Sequence, residues 1–367
     1  MKRIIICNTY YQVIFSIQLK NTIFKYDYIT LLISDHSNNT KSIVNKMIRE
    51  KKFEECYFVQ TKSRLYGAKK INDKIKVMLD AMFGMSTIHN SFLKNVRNKY
   101  YDEIISFNYA LDIDSYYAYL YKYNPKIKCS MMEEGLFSYD FSMLNNVEFK
   151  KKRDLISAVR KVFRKTTVLD SLKNFYCYFT AIYNGTLIPI QVPKIEINSK
   201  TANDLKNIFD LGNKLDGYTQ KYIFFTSVYD FEGGKPVGEY ELVCKVADLV
   251  GKDNLLVKTH PRDTRSIYTD NGFNVDKNSS IPWEAIQLSG DFSDKVFMTI
   301  NSSSVLSGST MSEKPVRTYY MYKLCDISGN ESCKRNARDI ESLLQNDEMK
   351  DVLRTVHIAE KLEDILG

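Results

Sequence analysis

Short apolar runs that alternate with amphipathic stretches constrain this chain more than anything else in its sequence. Arg3–Cys7, Tyr28–Ser34, Glu54–Gln60, Glu103–Phe107 and Lys126–Met132 are rich in Ile, Val, Leu, Tyr or Phe and short enough for buried strands. Between them, Lys41–Lys52, Ile71–Phe83 and Ser115–Tyr123 carry apolar residues at helical spacing. Strands separated by helices cannot pair through tight hairpins. Each must cross over a helix, which predicts a parallel sheet covered by helices. The pattern resumes in the second half. "KYIFFTSV" is a strand, and "GEYELVCKVADLVG" sets Leu242, Val243, Val246, Leu249 and Val250 on one helical face. "NLLVKTH", "KVFMTIN" and "RTYYMYKL" are further strands.

A chain of 367 residues is too long for one ordinary core. Lys152 to about Phe179 predicts a strongly basic helix. "NGTLIPIQVPKIEIN", with Gly185, Pro189 and Pro193, reads as a crossing between domains. The expectation is an α/β protein with two Rossmann-like domains, residues 1–200 and 201–367, their parallel sheets facing a central cleft. That is the GT-B type of architecture found in nucleotide-sugar glycosyltransferases. Arg338 to Leu366 predicts a last helix that packs back on the N-terminal domain.

Composition narrows the function classes. No stretch approaches the ~20 apolar residues of a membrane span, and "MKRIIICNTYYQ" enters a strand with no signal-peptide pattern, so a cytoplasmic location is expected. The seven cysteines form no CxxC pair, which indicates neither a zinc site nor a disulfide framework. The net charge of +8 suits an anionic partner. GxSxG, HExxH, Walker A and GxGxxG signatures are absent. One DxD string, Asp112-Ile113-Asp114, lies in an amphipathic helical segment and reads as structural.

Ligands of open α/β sheets bind beyond the carboxyl ends of the strands, and polar residues gather at those positions. In the second half these are Asp230 in "FFTSVYDFEGG", His260-Pro261-Arg262, Glu284 in "IPWEAIQ", and Ser302, Ser303 and Ser304 in "INSSSVLSGS". Hydroxyls and free N–H groups at a helix start suit a phosphate. A histidine beside it can donate to the phosphate as it departs. Glu284 can accept from a ribose diol, and Asp230 can act as a base. In the first half, "MMEEGLF" places Glu133, Glu134 and Gly135 after the fifth strand, and "CNTYYQ" offers Asn8, Thr9 and Gln12 after the first.

This ordered set, an acidic pair with Gly, then HP, then P-x-E, then serines, resembles the bacterial sialyltransferases of GT-B fold. The "CNTYYQ" strand end and the Asp230 loop are most similar to glycosyltransferase family 52, which includes lipooligosaccharide and capsule sialyltransferases. The resemblance implies CMP-sialic acid as donor, a terminal galactoside or sialoside of a surface glycan as acceptor, inversion at the anomeric centre, and no cofactor or metal. It gives Asp230 the role of base and His260 that of assisting the CMP phosphate. Glu284 would grip the ribose, and Ser302 and Ser303 would bind phosphate beside Pro261 and Arg262. Glu133 and Glu134 match an acidic turn that serves as base in a related family, although here both are Glu where Asp is commoner. Family members are often homodimers.

Two other readings stay open. One keeps the fold and changes the donor to another nucleotide sugar. The other is a basic, tyrosine-rich nucleic-acid binder, but no RNA- or DNA-binding motif supports it and no nucleic-acid partner is expected. The Gly67–Asn90 region is expected to carry acceptor contacts. Finally, "FKKKRDLISAVRKVFRK" surrounds Leu155, Ile156, Val159, Val162 and Phe163 with Lys150, Lys151, Lys152, Arg153, Arg160, Lys161, Arg164 and Lys165. It predicts a basic amphipathic helix that either packs on the core with a solvated basic face or lies in peripheral contact with the inner face of a membrane.

Overall fold

The computed structural model describes residues 1–62, 70–84, 99–107, 111–139, 147–163, 165–232 and 234–367. Residues 67–69 and 85–90 of the Gly67–Asn90 region, and Arg164 of the basic segment, lie outside the described residues, as do the side chains of Lys150–Arg153. The chain divides into two compact units, Met1–Pro193 and Lys194–Gly367. The division falls inside the Gly/Pro stretch rather than after residue 200.

Unit 1 holds strands β1 (Lys2–Cys7), β2 (Tyr28–Ser34), β3 (Glu55–Val59), β4 (Glu103–Ser106), β5 (Lys128–Met132), β6 (Leu172–Cys177) and β7 (Ile188–Gln191). Its helices are α1 (Tyr10–Asn21), α2 (Thr40–Arg49), α3 (Ile71–Phe83), α4 (Leu111–Leu120) and α5 (Val147–Val162). The sheet runs β3-β2-β1-β4-β5-β6-β7, and every pairing is parallel. Its central strands are apolar on both faces: Ile4, Ile5, Ile6, Leu31, Leu32, Ile104 and Ile105 are all buried, as a sheet covered on both sides requires.

Unit 2 holds β8 (Tyr222–Phe225), β9 (Leu255–Lys258), β10 (Asn274–Val275), β11 (Val296–Thr299), β12 (Arg317–Tyr320) and β13 (Val356–Ile358), in the order β10-β9-β8-β11-β12-β13 and again all parallel. Helices α6 (Lys200–Ile208), α7 (Glu239–Val250), α8 (Ile267–Asp270), α9 (Trp283–Ser289), α10 (Ser304–Met311) and α11 (Glu331–Gln345) belong to it. Phe225, Trp283, Phe292 and Phe297 interlock edge to face with centroids 4.8–6.3 Å apart and anchor α9 to the sheet.

Both units are therefore Rossmann-like, each with one place where strand order reverses: β1/β4 in unit 1 and β8/β11 in unit 2. Two helical expectations fail. The basic helix ends at Val162, and Leu172–Cys177, expected as its continuation, is strand β6. The last helix ends at Gln345, and Val356–Ile358 adds an edge strand beside β12. Asp112 and Asp114 are buried in α4.

Candidate active site

In unit 2 the polar groups gather around the β8/β11 reversal. His260 lies two residues past β9, and its N–H donates to Thr226 Oγ1 (2.9 Å), just past β8. The Arg262 N–H donates to His260 Nδ1 (3.1 Å), so the neutral ring carries its proton on Nε2. Burial, then the Arg262 guanidinium, lower the His260 pKa below its usual value, against the opposing pull of Glu232 and Asp263. His260 is thus a neutral donor at physiological pH. Pro261 and Arg262 are exposed, and Arg262 pairs with Glu232 at 2.5 Å.

The serines follow β11. Ser302 N–H donates to Thr299 Oγ1 (3.0 Å), the Ser302 and Ser304 hydroxyls share a hydrogen bond (2.8 Å), and Ser303 stands exposed before α10 with no capping bond of its own. Two inter-strand spacings separate the β9 and β11 ends, roughly 10 Å, a span a nucleotide can bridge. Glu284, in the first turn of α9, accepts from Ser307 Oγ on α10 at 2.6 Å. Gly308 lets the helices approach: a Cβ there would meet Gln287 Oε1 at 2.1 Å. The structure thus ties Glu284 to the serine-led helix, through a serine that the sequence reading missed.

Asp230 is different. Its Oδ1 accepts from the N–H groups of Val237 (3.0 Å), Gly238 (3.0 Å) and Glu239 (3.2 Å), and its Oδ2 from those of Glu239 (3.0 Å) and Tyr240 (3.3 Å). It caps α7. Both of its oxygens are engaged by the helix's otherwise orphaned amides.

In unit 1 the acidic turn splits into two roles. Glu133 is fully buried and accepts from Tyr11 Oη (2.7 Å), from Tyr139 Oη and from Tyr178 N–H (2.8 Å). It is a structural anchor. Glu134 is partly exposed, and its N–H donates to Ser138 Oγ (2.7 Å). Gly135 then turns the chain at φ +76°, in the left-handed region, with open space where a Cβ would stand. Burial raises the Glu134 pKa above the ordinary carboxylate value, while the Thr9 hydroxyl and Gln12 carboxamide lower it again.

Thr9 is the N-cap of α1, and the Asn8 N–H donates to Gln12 Oε1 (2.6 Å). With Oε1 so engaged, the buried Nε2 of Gln12 closes no full hydrogen bond of its own and lies beside Glu134. Asn8 Oδ1 in turn accepts from Ser34 Oγ (2.7 Å), which also contacts His36 Nδ1 (2.8 Å). Asn8, Thr9, Gln12 and Glu134 form one cluster. His36 and Ser34 extend it and went unread, although "LLISDH" has the same form, an apolar run ending in His, that marks His260.

The chain matches the alpha-2,8-polysialyltransferase (POLYST) family over residues 3–320. Among solved structures it is similar to the alpha/beta-galactoside alpha-2,3-sialyltransferase of the luminous marine bacterium Photobacterium phosphoreum, at 15% identity and TM-score 0.49 over 99% of this chain and 98% of that one. It is also similar to UDP-GlcNAc 2-epimerase of Methanocaldococcus jannaschii (10%, 0.44, covering 98% and 89%) and to MurG of Acinetobacter baumannii (8%, 0.40, covering 99% and 88%). No curated protein matches the chain in sequence. Likenesses this distant bear on neither site.

Proposed function

Because the chain belongs to the alpha-2,8-polysialyltransferase family, a family of glycosyltransferases, we propose that it transfers sialic acid from CMP-sialic acid, with inversion, to the terminal sialic acid of a surface glycan. The family match carries the reaction class, and the two clusters supply residues for it. The family's description favours a sialoside acceptor over the galactoside.

CMP-sialic acid carries a phosphate and a carboxylate, which the chain's net positive charge suits. In our reading the Ser302–Ser304 helix start receives the phosphate and Glu284 the ribose diol. As the glycosidic bond breaks, the sugar gains oxocarbenium character and negative charge builds on the CMP phosphate. A neutral His260 donating Nε2–H stabilises that charge, the largest demand of the step. The leaving phosphate is acidic enough that complete proton transfer is unnecessary. The acceptor hydroxyl attacks from the face opposite CMP, so a β-linked donor gives an α-sialoside.

Its proton goes to a carboxylate that is partly dry and still reachable. Glu134, half-buried with a pKa raised above the ordinary value, meets those conditions, whereas both Asp230 oxygens accept from the amides at the start of α7. We therefore assign the base to Glu134. The reaction as written draws on no metal or cofactor.

The test is a transfer assay offering CMP-sialic acid or UDP-sugars as donor, with an α2,8-linked oligosialoside or a terminal galactoside as acceptor. Sialic acid incorporation into the oligosialoside is expected. Transfer only from a UDP-sugar overturns the donor, and transfer only to galactose overturns the acceptor.

A further inference from the structure

A buried ion pair in unit 2 takes no part in the reaction as written. Lys258 ends β9 and Asp276 directly follows β10, and Lys258 Nζ meets Asp276 Oδ2 at 2.9 Å. Their side chains are only 9% and 1% exposed. The other carboxylate oxygen, Oδ1, accepts from Tyr218 Oη (2.9 Å) and from Asn278 N–H (2.9 Å), and Asn278 Nδ2 donates to Tyr218 Oη (3.2 Å).

Such a pair adds little net stability, because the cost of taking two charges out of water offsets their attraction. Its best attested use is to fix register, and this corner of the sheet is short of other means. β10 has two residues, Asn274 and Val275, fewer than an ordinary strand, and it pairs at the sheet edge with β9 alone. One further backbone bond extends that ladder, from Asp276 N–H to Val257 O (2.9 Å). The ion pair adds a lock at the point where the chain leaves the sheet. β9, by contrast, is held between β8 and β10, so the position of His260 does not depend on it.

What the lock holds is the start of α9. From Asp276 the chain turns through Asn278, whose carbonyl accepts from Ile281 N–H (2.8 Å), and enters α9 at Trp283 and Glu284. Trp283 is buried against the same group: Lys258 Nζ lies 5.6 Å from the centre of its ring, and Tyr218 meets it edge to face at 5.7 Å. Glu284 is the next residue. We propose that Lys258 and Asp276 are positioning residues, which set the start of α9 so that the Glu284 carboxylate stands where the ribose diol of a nucleotide donor arrives. The inference rests on the reading of Glu284 as the group that accepts from that diol.

The test reads CMP binding by calorimetry on the full chain, without acceptor. Lys258→Met with Asp276→Asn removes both charges and keeps an oxygen for Tyr218 and Asn278. This charge-free variant is expected to fold, since neither charge is left buried alone, and to bind CMP about tenfold more weakly than wild type. In a Glu284→Ala background the same two changes are expected to cost little, because the contact they position is already gone. Tyr218→Phe, which leaves the ion pair in place and removes one donor from Asp276, is expected to act in the same direction by about threefold. Unchanged CMP binding in the charge-free variant overturns the proposal. So does an equal loss with and without Glu284, which would make the pair a general support of unit 2. If the charge-free variant does not fold, Tyr218→Phe decides in the same cycle: a loss that needs Glu284 supports the positioning, and any other result overturns it. If wild type binds UMP and not CMP, the donor reading falls while the same cycle, run with UMP, still decides the positioning. If it binds neither, both readings fall.

Discussion

A carboxylate works as a base only through a lone pair left to it, and this separates Asp230 from Glu134. Asp230→Asn is expected to keep most transfer activity at some cost in stability, because the Asn oxygen still accepts at the helix start while its NH2 cannot replace the second acceptor oxygen. Asp230→Ala is expected to cost roughly 1 kcal/mol of stability through the lost cap. Glu134→Gln is expected to lower turnover by about 10²–10⁴ with CMP binding intact. Steady-state kinetics beside calorimetric CMP titration checks both residues; a fully active Glu134→Gln would return the search for the base to its beginning.

Gln12 offers a finer probe. Its carboxamide stabilises the Glu134 carboxylate, so Gln12→Leu should raise the Glu134 pKa further. A base must be deprotonated, so the acid limb of the kcat/KM profile should move to higher pH. An unmoved limb would uncouple Gln12 from the base. His260→Ala is expected to cost about 10²–10³ in turnover through the lost donor, and rapid-quench measurement of donor cleavage reads it directly.

At the scale of elements, the start of α7 carries an unusual arrangement. Glu239 is fully buried in its first turn, where both carboxylate oxygens accept from Ser227 N–H (2.8 and 3.0 Å). Burial is the chief cause that raises its pKa from 4.5 to about 8. Between those two values the unfolded chain releases this proton while the folded chain keeps it. The stability Glu239 contributes is thus present below about 4.5 and lost as pH rises through about 8. Glu239→Gln, neutral at every pH and still able to accept from Ser227, should match wild type near pH 5 and melt higher than wild type near pH 9. Thermal melts across that range decide it; parallel curves would rule out the titration.

The same scale shows where sequence patterns fail. β6 is hidden because Lys152–Phe179 keeps an apolar rhythm compatible with a continuing helix. β13 has only three residues, and pairing with β12 makes it a strand. Pro189 sits in β7 because β7 is an edge strand.

For the whole molecule, each unit has its own sheet and buried core, and His260, Glu284, Ser302 and Ser303, the residues we propose for the donor, all belong to unit 2. Residues 194–367 expressed alone are expected to bind CMP within about tenfold of the full chain, yet to transfer nothing, since Glu134 is missing. Calorimetry on the isolated unit checks this, and loss of binding in a folded unit 2 would show that donor contacts come from elsewhere. The sequence by itself determined the tandem α/β organisation, because apolar periodicity is a local property that survives in one dimension. It also determined the candidate polar positions, because strand ends can be located from where an apolar run stops. Only the tertiary structure decided which partners those positions have. Asp230 and Glu134 read alike in sequence, each an acid past a strand. One is consumed by the amides of α7, and the other is left open beside Thr9 and Gln12, residues more than a hundred positions away. Which lone pairs remain free depends on through-space partners, and no local pattern records them.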